Sequence, residues 1–180
     1  MIPCQRSLFS IPSDVVYLNT AYMSPLMTSV VDAINYGAKL KATPWDITIS
    51  DFFENSELAR NLFADIVNVS SKNIALVPSA SYGLETAAKN LRVGNGRSVV
   101  ILENQFPSHV YPWQRLVKET GGKLIKVKEK QDRNLTELVL EFIDEKCAIV
   151  AVPNVLWTKG LILDLILISQ RCKEVGAALV

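Results

Sequence analysis

The sequence predicts an α/β fold of three layers, αβα, with helices on both faces of a mostly parallel sheet, and three observations carry that prediction. From residue 73 onward, short β-rich runs alternate with longer helical patterns, the mark of parallel βαβ units. One of those runs, 147–152, is continuously apolar, as strands covered on both faces are. Glycines sit where a chain leaves a helix, at Gly121-Gly122 and at Gly176.

The elements follow in chain order. The first seventy residues are turn-rich at Pro3, Pro12 and Pro25 and carry the segment Tyr17-Leu18-Asn19-Thr20-Ala21. Helical patterns follow over 30–41 and 51–67. In the second, Phe52, Ala59, Leu62, Phe63 and Ile66 recur at helical spacing, which predicts a helix packed on the later sheet. A strand is expected over 74–78, a helix over 81–91, the turn Gly94-Asn95-Gly96, a strand over 98–103 and a helix over 107–120. A strand over 123–127 comes next, then a helix to about residue 145 opened by a reciprocal cap between Asn134 and Glu137. The strand 147–152, a loop over 153–160, a helix over 164–175 and a fresh strand over 177–180 complete the reading.

A sheet ending on such a strand has an uncovered edge, so either a partner covers it or the natural polypeptide is longer. The expected division is an N-terminal segment, 1–50, and the first part of a larger domain, 51–180, with its sheet unfinished. Leu165-Ile166-Leu167-Ile168 is apolar enough to pack on a further domain or a second subunit.

With 180 residues, 49% hydrophobic and 21% charged, the chain can bury one core. Its 19 basic and 18 acidic residues leave a net charge of +1 with no basic block, which argues against nucleic acid or a membrane surface as partner. Cys4, Cys147 and Cys172 are too scattered for a disulfide framework, and one histidine, His109, makes no metal-binding cluster. A reducing, cytoplasmic setting is the simplest. Residues 1–10 lack the apolar middle of a signal peptide, and the longest apolar stretch, 160–168, is far shorter than the roughly 20 residues of a membrane-spanning helix.

Three constellations carry chemistry. Pro78-Ser79-Ala80-Ser81-Tyr82-Gly83-Leu84 forms a small hydroxyl-rich turn opening a helix, which suits a phosphate; the same serines serve equally as ordinary helix caps. Glu103-Asn104-Gln105-Phe106-Pro107-Ser108-His109 begins at the carboxyl end of a strand, where ligands of open α/β sheets bind, so Phe106 can lie against a flat ring or belong to the core. His109 reads as a polar or pocket-lining residue rather than a general base. Pro153-Asn154-Val155-Leu156-Trp157-Thr158-Lys159-Gly160 is a polar and aromatic loop at another strand end, whose Lys159 reads as solvated.

Together these segments resemble the class V aminotransferase family, which includes cysteine desulfurases, selenocysteine lyases, kynureninase and isopenicillin-N epimerase-like proteins. Tyr17-Leu18-Asn19-Thr20-Ala21 is similar to that family's N-terminal motif, Ser79-Ala80-Ser81-Tyr82-Gly83 to its phosphate turn, and Phe106-Pro107-Ser108 with Pro112-Trp113 to its ring-stacking segment. Trp157-Thr158-Lys159-Gly160 followed by Leu163-Asp164-Leu165 resembles the stretch before the helix that leads to its catalytic aspartate.

The resemblance implies an incomplete large domain of a pyridoxal 5'-phosphate (PLP) dependent transferase, aspartate aminotransferase-like and of fold type I. It implies action on a small amino-acid substrate, as an aminotransferase or a cysteine desulfurase or lyase, by a cytoplasmic homodimer. Ala80 and Ser81 would hold the PLP phosphate, Phe106 would stack on the pyridine ring where many relatives use histidine, and Asn154 or Trp157 would sit near the phenolic oxygen. Asn19, Thr20 and Tyr22 would face the substrate. Trp157 stands where desulfurases tend to carry asparagine, which sets the chain apart from them. The family's ring-pairing aspartate and imine-forming lysine are expected beyond Val180, so no catalytic residue and no turnover are expected of these 180 residues alone.

The alternative is a non-catalytic ligand-binding or interaction protein derived from the same family, separated from the first reading by whether the coding sequence continues into an aspartate strand and a lysine segment. A dinucleotide-binding domain is disfavoured, because Gly94-Asn95-Gly96 precedes a strand instead of following one.

Overall fold

A computed structural model of the protein describes residues 2–180, and the chain falls into two compact units divided between Leu76 and Val77. The first unit holds α1 (Thr28–Leu40) and α2 (Glu54–Val67). The helix expected over 51–67 is divided at Phe53, because Ser50–Phe52 forms a separate 3-10 turn. Asp51 fixes that turn by accepting the Thr48 N–H and hydroxyl, each at 2.7 Å.

Of α2 only Ala64 is buried; Leu62, Phe63 and Ile66 are exposed, Ile66 by 79%, against the expectation that this apolar stripe is packed away. Helical spacing defines a face but not what covers it. The tertiary bonds of α2 are polar ones: Arg60 donates to the Ile74 carbonyl at 2.9 Å and to that of Ser71 at 2.7 Å. The strand expected over 74–78 does not form. That stretch lies beside no pairing partner among the described residues, and Leu76 and Val77 are exposed.

The second unit begins with α3 (Ala80–Asn90), β1 (Ser98–Leu102), α4 (Tyr111–Thr120) and β2 (Lys123–Val127). It continues with α5 (Leu135–Leu140), β3 (Cys147–Ala151), β4 (Val155–Leu156), β5 (Leu161–Ile162), α6 (Leu165–Val175) and β6 (Ala178–Leu179). Four strands make a sheet of order β2-β1-β3-β6, parallel throughout. β1 and β3 lie at its centre and are buried along their whole length, in keeping with their unbroken apolar runs.

Alternation along β1 divides the core in two. Val99 and Ile101 pack with Ala88 of α3 and Trp113 of α4, while Val100 and Leu102 pack with Leu138 and Val139 of α5 and Ile168 and Cys172 of α6. The sheet is therefore sandwiched between α3/α4 and α5/α6, the three-layer arrangement expected. No helix is long and apolar enough to cross a membrane among the described residues.

Three elements depart from the sequence reading. The helix over 107–120 breaks into a 3-10 turn, Pro107–His109, and α4, because Pro112 has no N–H to give the Ser108 carbonyl and a continuous helix would lose that bond. α5 stops at Leu140, where i→i−3 bonds from Phe142 to Val139 and from Ile143 to Leu140 tighten its last turn. Its cap is one-sided: Asn134 accepts the Thr136 N–H at 2.8 Å, while Glu137 turns to Arg133, 4.0 Å away. The loop over 153–160 contains β4, which pairs antiparallel with β5. α6 starts as the sequence implied, with Asp164 accepting the N–H groups of Ile166 and Leu167 at 3.0 Å each.

Candidate functional site

Topology sets the site. β1 and β3 are parallel neighbours with Ile101 opposite Ala151, so the chain leaves both strands at adjacent tips. The segment after β1 carries Phe106 and the segment after β3 carries Trp157; their rings meet edge to face with centroids 5.5 Å apart. Phe106 is 41% and Trp157 38% exposed, so Phe106 is not the core aromatic that the residues alone allowed. Trp113, in contrast, is fully buried.

The helix α3 enters the same region. Ser79 caps it, its hydroxyl accepting the Tyr82 N–H at 3.1 Å, while the Gly83 N–H reaches the Ser79 carbonyl at 3.2 Å. The N–H groups of Ala80 and Ser81 are left without a partner among the described residues, at the positive end of an 11-residue helix. The Ser81 hydroxyl lies 2.7 Å from that of Ser108 in the 3-10 turn that follows Phe106.

A hollow of about 480 Å³ opens here, lined among others by Ser79, Ser81, Glu85, Ser108, Tyr111 and Pro112. Glu85 would repel an anion, but its carboxylate is paired with Arg115 and lies 3.8 Å from Lys89. Next to it the stretch after β1 keeps two buried polar atoms without a partner among the described residues, Gln105 Nε2 and His109 Nδ1. Two open helix N–H groups and the Ser81 hydroxyl suit a phosphate, while Phe106 and Trp157 are not among the residues that line this hollow.

The remaining candidates are placed as follows. Asn154 accepts the Leu163 N–H through its carbonyl at 2.9 Å and keeps its side chain exposed. Asn19, Thr20 and Tyr22 lie in the first unit, exposed on a turn closed by the N–H groups of Tyr22 and Met23 on the Asn19 carbonyl. Lys159 is exposed and holds Glu129, its Nζ 2.9 Å from the nearer oxygen. His109 belongs to the 3-10 turn, half-buried, and burial lowers its pKa from the ordinary value. Ser108 enters the sequence reading only within a motif and with no role of its own; the available signal was a hydroxyl two positions beyond the candidate aromatic, after a proline able to start a turn.

Comparison with known proteins gives the chain's family and fold. The model of the family described as Aminotransferase class-V matches residues 16–180. The uncharacterized aminotransferase YcbU of Bacillus subtilis is 28% identical over 177 residues, which are 97% of this chain and 46% of that protein. A probable cysteine desulfurase of Methanothermobacter thermautotrophicus is 28% identical over 170 residues, 91% of this chain and 42% of its own length. The chain thus spans about half the length of the curated relatives it matches, or somewhat less.

Among solved structures, the apo cysteine desulfurase of Thermococcus onnurineus NA1 superposes with a TM-score of 0.81 at 24% identity, over 97% of this chain and 45% of that one. A mutant of C-DES with glycine covalently linked to its PLP cofactor superposes with a TM-score of 0.79 at 18% identity, over 95% of this chain and 46% of that one. The fold is that of these proteins.

Proposed function

The chain belongs to the aminotransferase class-V family, and from that premise we propose that it forms the phosphate-holding and ring-holding part of a PLP site in an enzyme acting on an amino acid. The reaction is of the aminotransferase or cysteine desulfurase and lyase type. What supports the reading is the open end of α3, whose Ser81 hydroxyl lies 2.7 Å from that of Ser108, two residues beyond the exposed Phe106 that meets Trp157.

When bound, PLP supplies an electron sink for charge developing on the amino acid. The residues of this chain bind and orient. The N–H groups of Ala80 and Ser81 and the Ser81 hydroxyl hold the phosphate, Phe106 lies against the ring, and Asn154 and Trp157 flank its phenolic oxygen. Asn19, Thr20 and Tyr22 face the substrate. Lys159 is no covalent anchor in this reading, since its ammonium is held by Glu129. The same reading takes the protein as a cytoplasmic homodimer; the free thiols of Cys4, Cys147 and Cys172 support the compartment, and exposed Ile166 and Leu167 on α6 support further packing.

Titration of the chain with PLP and with pyridoxal, followed by tryptophan fluorescence, tests the proposal. Saturable binding of PLP, at least about tenfold tighter than pyridoxal, is expected from a phosphate held by charge-assisted bonds. Borohydride treatment should leave Lys159 unlabelled. Equal affinity for the two ligands, or no saturation by PLP, would remove the reading.

A further inference from the structure

The two serines at the mouth of the hollow form a pair whose proton order matters. Their oxygens are 2.7 Å apart and either can donate. Two neighbouring hydroxyls are engaged within the chain: that of Ser79 accepts from the Tyr82 N–H, and that of Thr86 donates to the Tyr82 carbonyl at 2.8 Å. Each serine brings one proton, so the pair uses one and leaves one to point elsewhere. A phosphate oxygen only accepts. If Ser81 donates to it, the proton inside the pair must come from Ser108.

We propose that Ser108 is a positioning residue for the phosphate of the ligand: by donating to Ser81 Oγ it commits the Ser81 proton to the anion. The inference rests on the PLP reading above and adds to it a residue that acts through Ser81. Two features favour that order. Ser108 sits in a 3-10 turn opened by Pro107, whose fixed φ steadies the turn, and Ser81 is the second residue of α3, beside the two open N–H groups. A hydroxyl that accepts one bond while giving another is a stronger donor, so the Ser108 bond strengthens the contact Ser81 makes.

The test titrates PLP, pyridoxal and inorganic phosphate onto the 180-residue chain and onto its Ser108→Ala and Ser108→Thr variants, with melting curves for each. Ser108→Ala should bind PLP about fivefold more weakly, with pyridoxal unchanged. Ser108→Thr, which keeps the hydroxyl, should restore affinity to within about twofold. Unchanged PLP affinity in Ser108→Ala, or an equal loss for pyridoxal, would overturn the assignment while leaving the PLP reading standing. Failure of the unsubstituted chain to bind PLP would overturn both.

Discussion

The ring of Phe106 meets that of Trp157 edge to face, their planes at 81° and their centroids 5.5 Å apart, although 50 residues of chain separate them. Parallel pairing of β1 with β3 makes this contact possible, because both aromatics leave strands whose carboxyl ends lie side by side. Phe106 keeps 41% of its surface exposed in spite of that contact.

Replacing Phe106 separates ring recognition from phosphate recognition. Phe106→Ala should weaken PLP and pyridoxal by the same factor, about five- to tenfold, and leave inorganic phosphate unaffected, because an aromatic contact does not sense the phosphate. Parallel titrations of the three ligands measure this. A loss confined to PLP would mean that Phe106 does not touch the ring.

Gly122 is required by space. A Cβ there would lie 2.7 Å from Val93 Cγ1 and 3.1 Å from the Arg97 carbonyl, and buried Val93 has little room to give. Gly122→Ala should lower stability by about 1–3 kcal/mol, read as a shift of the urea midpoint with an unchanged slope.

His109 makes stability depend on pH. Burial lowers its pKa in the folded chain from the ordinary value of 6.5. Above that value neither state carries the proton. Below it the unfolded chain protonates first, so stability falls with pH until the lower folded value is passed. Urea midpoints at about pH 7.5 and about pH 5.5 should therefore differ more for the unsubstituted chain than for His109→Gln. Identical differences would show that the decline comes from other groups.

The thiols should react unequally. Cys4 is exposed, whereas Cys147 and Cys172 are buried, and burial pushes the Cys147 thiol up to about 11. Mass spectrometry after iodoacetamide at about pH 8 should find Cys4 modified in the native chain and all 3 cysteines modified only in denaturant. Rapid native labelling of Cys147 would contradict the burial of β3 along its whole length.

What could be read in advance follows the physics of each segment. The runs that became β1, β2 and β3 were legible because burial on both faces or a clear boundary at Gly122 marked them, and β2 spans the five residues expected. The hairpin of β4 and β5 was not, since two-residue strands are too short to show a period. Residues 74–78 have strand-like composition, but a strand exists only with a partner, and composition does not say whether one is near. Pro107 was legible as a helix-start residue, yet the effect of Pro112 on the Ser108 carbonyl, and hence the separate 3-10 turn, depends on where the helix restarts. At the site, Ser81 and Phe106 could be named from strand ends and helix starts. Ser108 could not, because its importance lies in a contact across 27 residues of chain.

Pro107 alone stands between Phe106 and Ser108, and its ring holds one of the few torsions joining them. Of the backbone torsions between that ring and that hydroxyl, one is therefore locked while the others stay free to turn, so the proline narrows the range of separations without setting a single one.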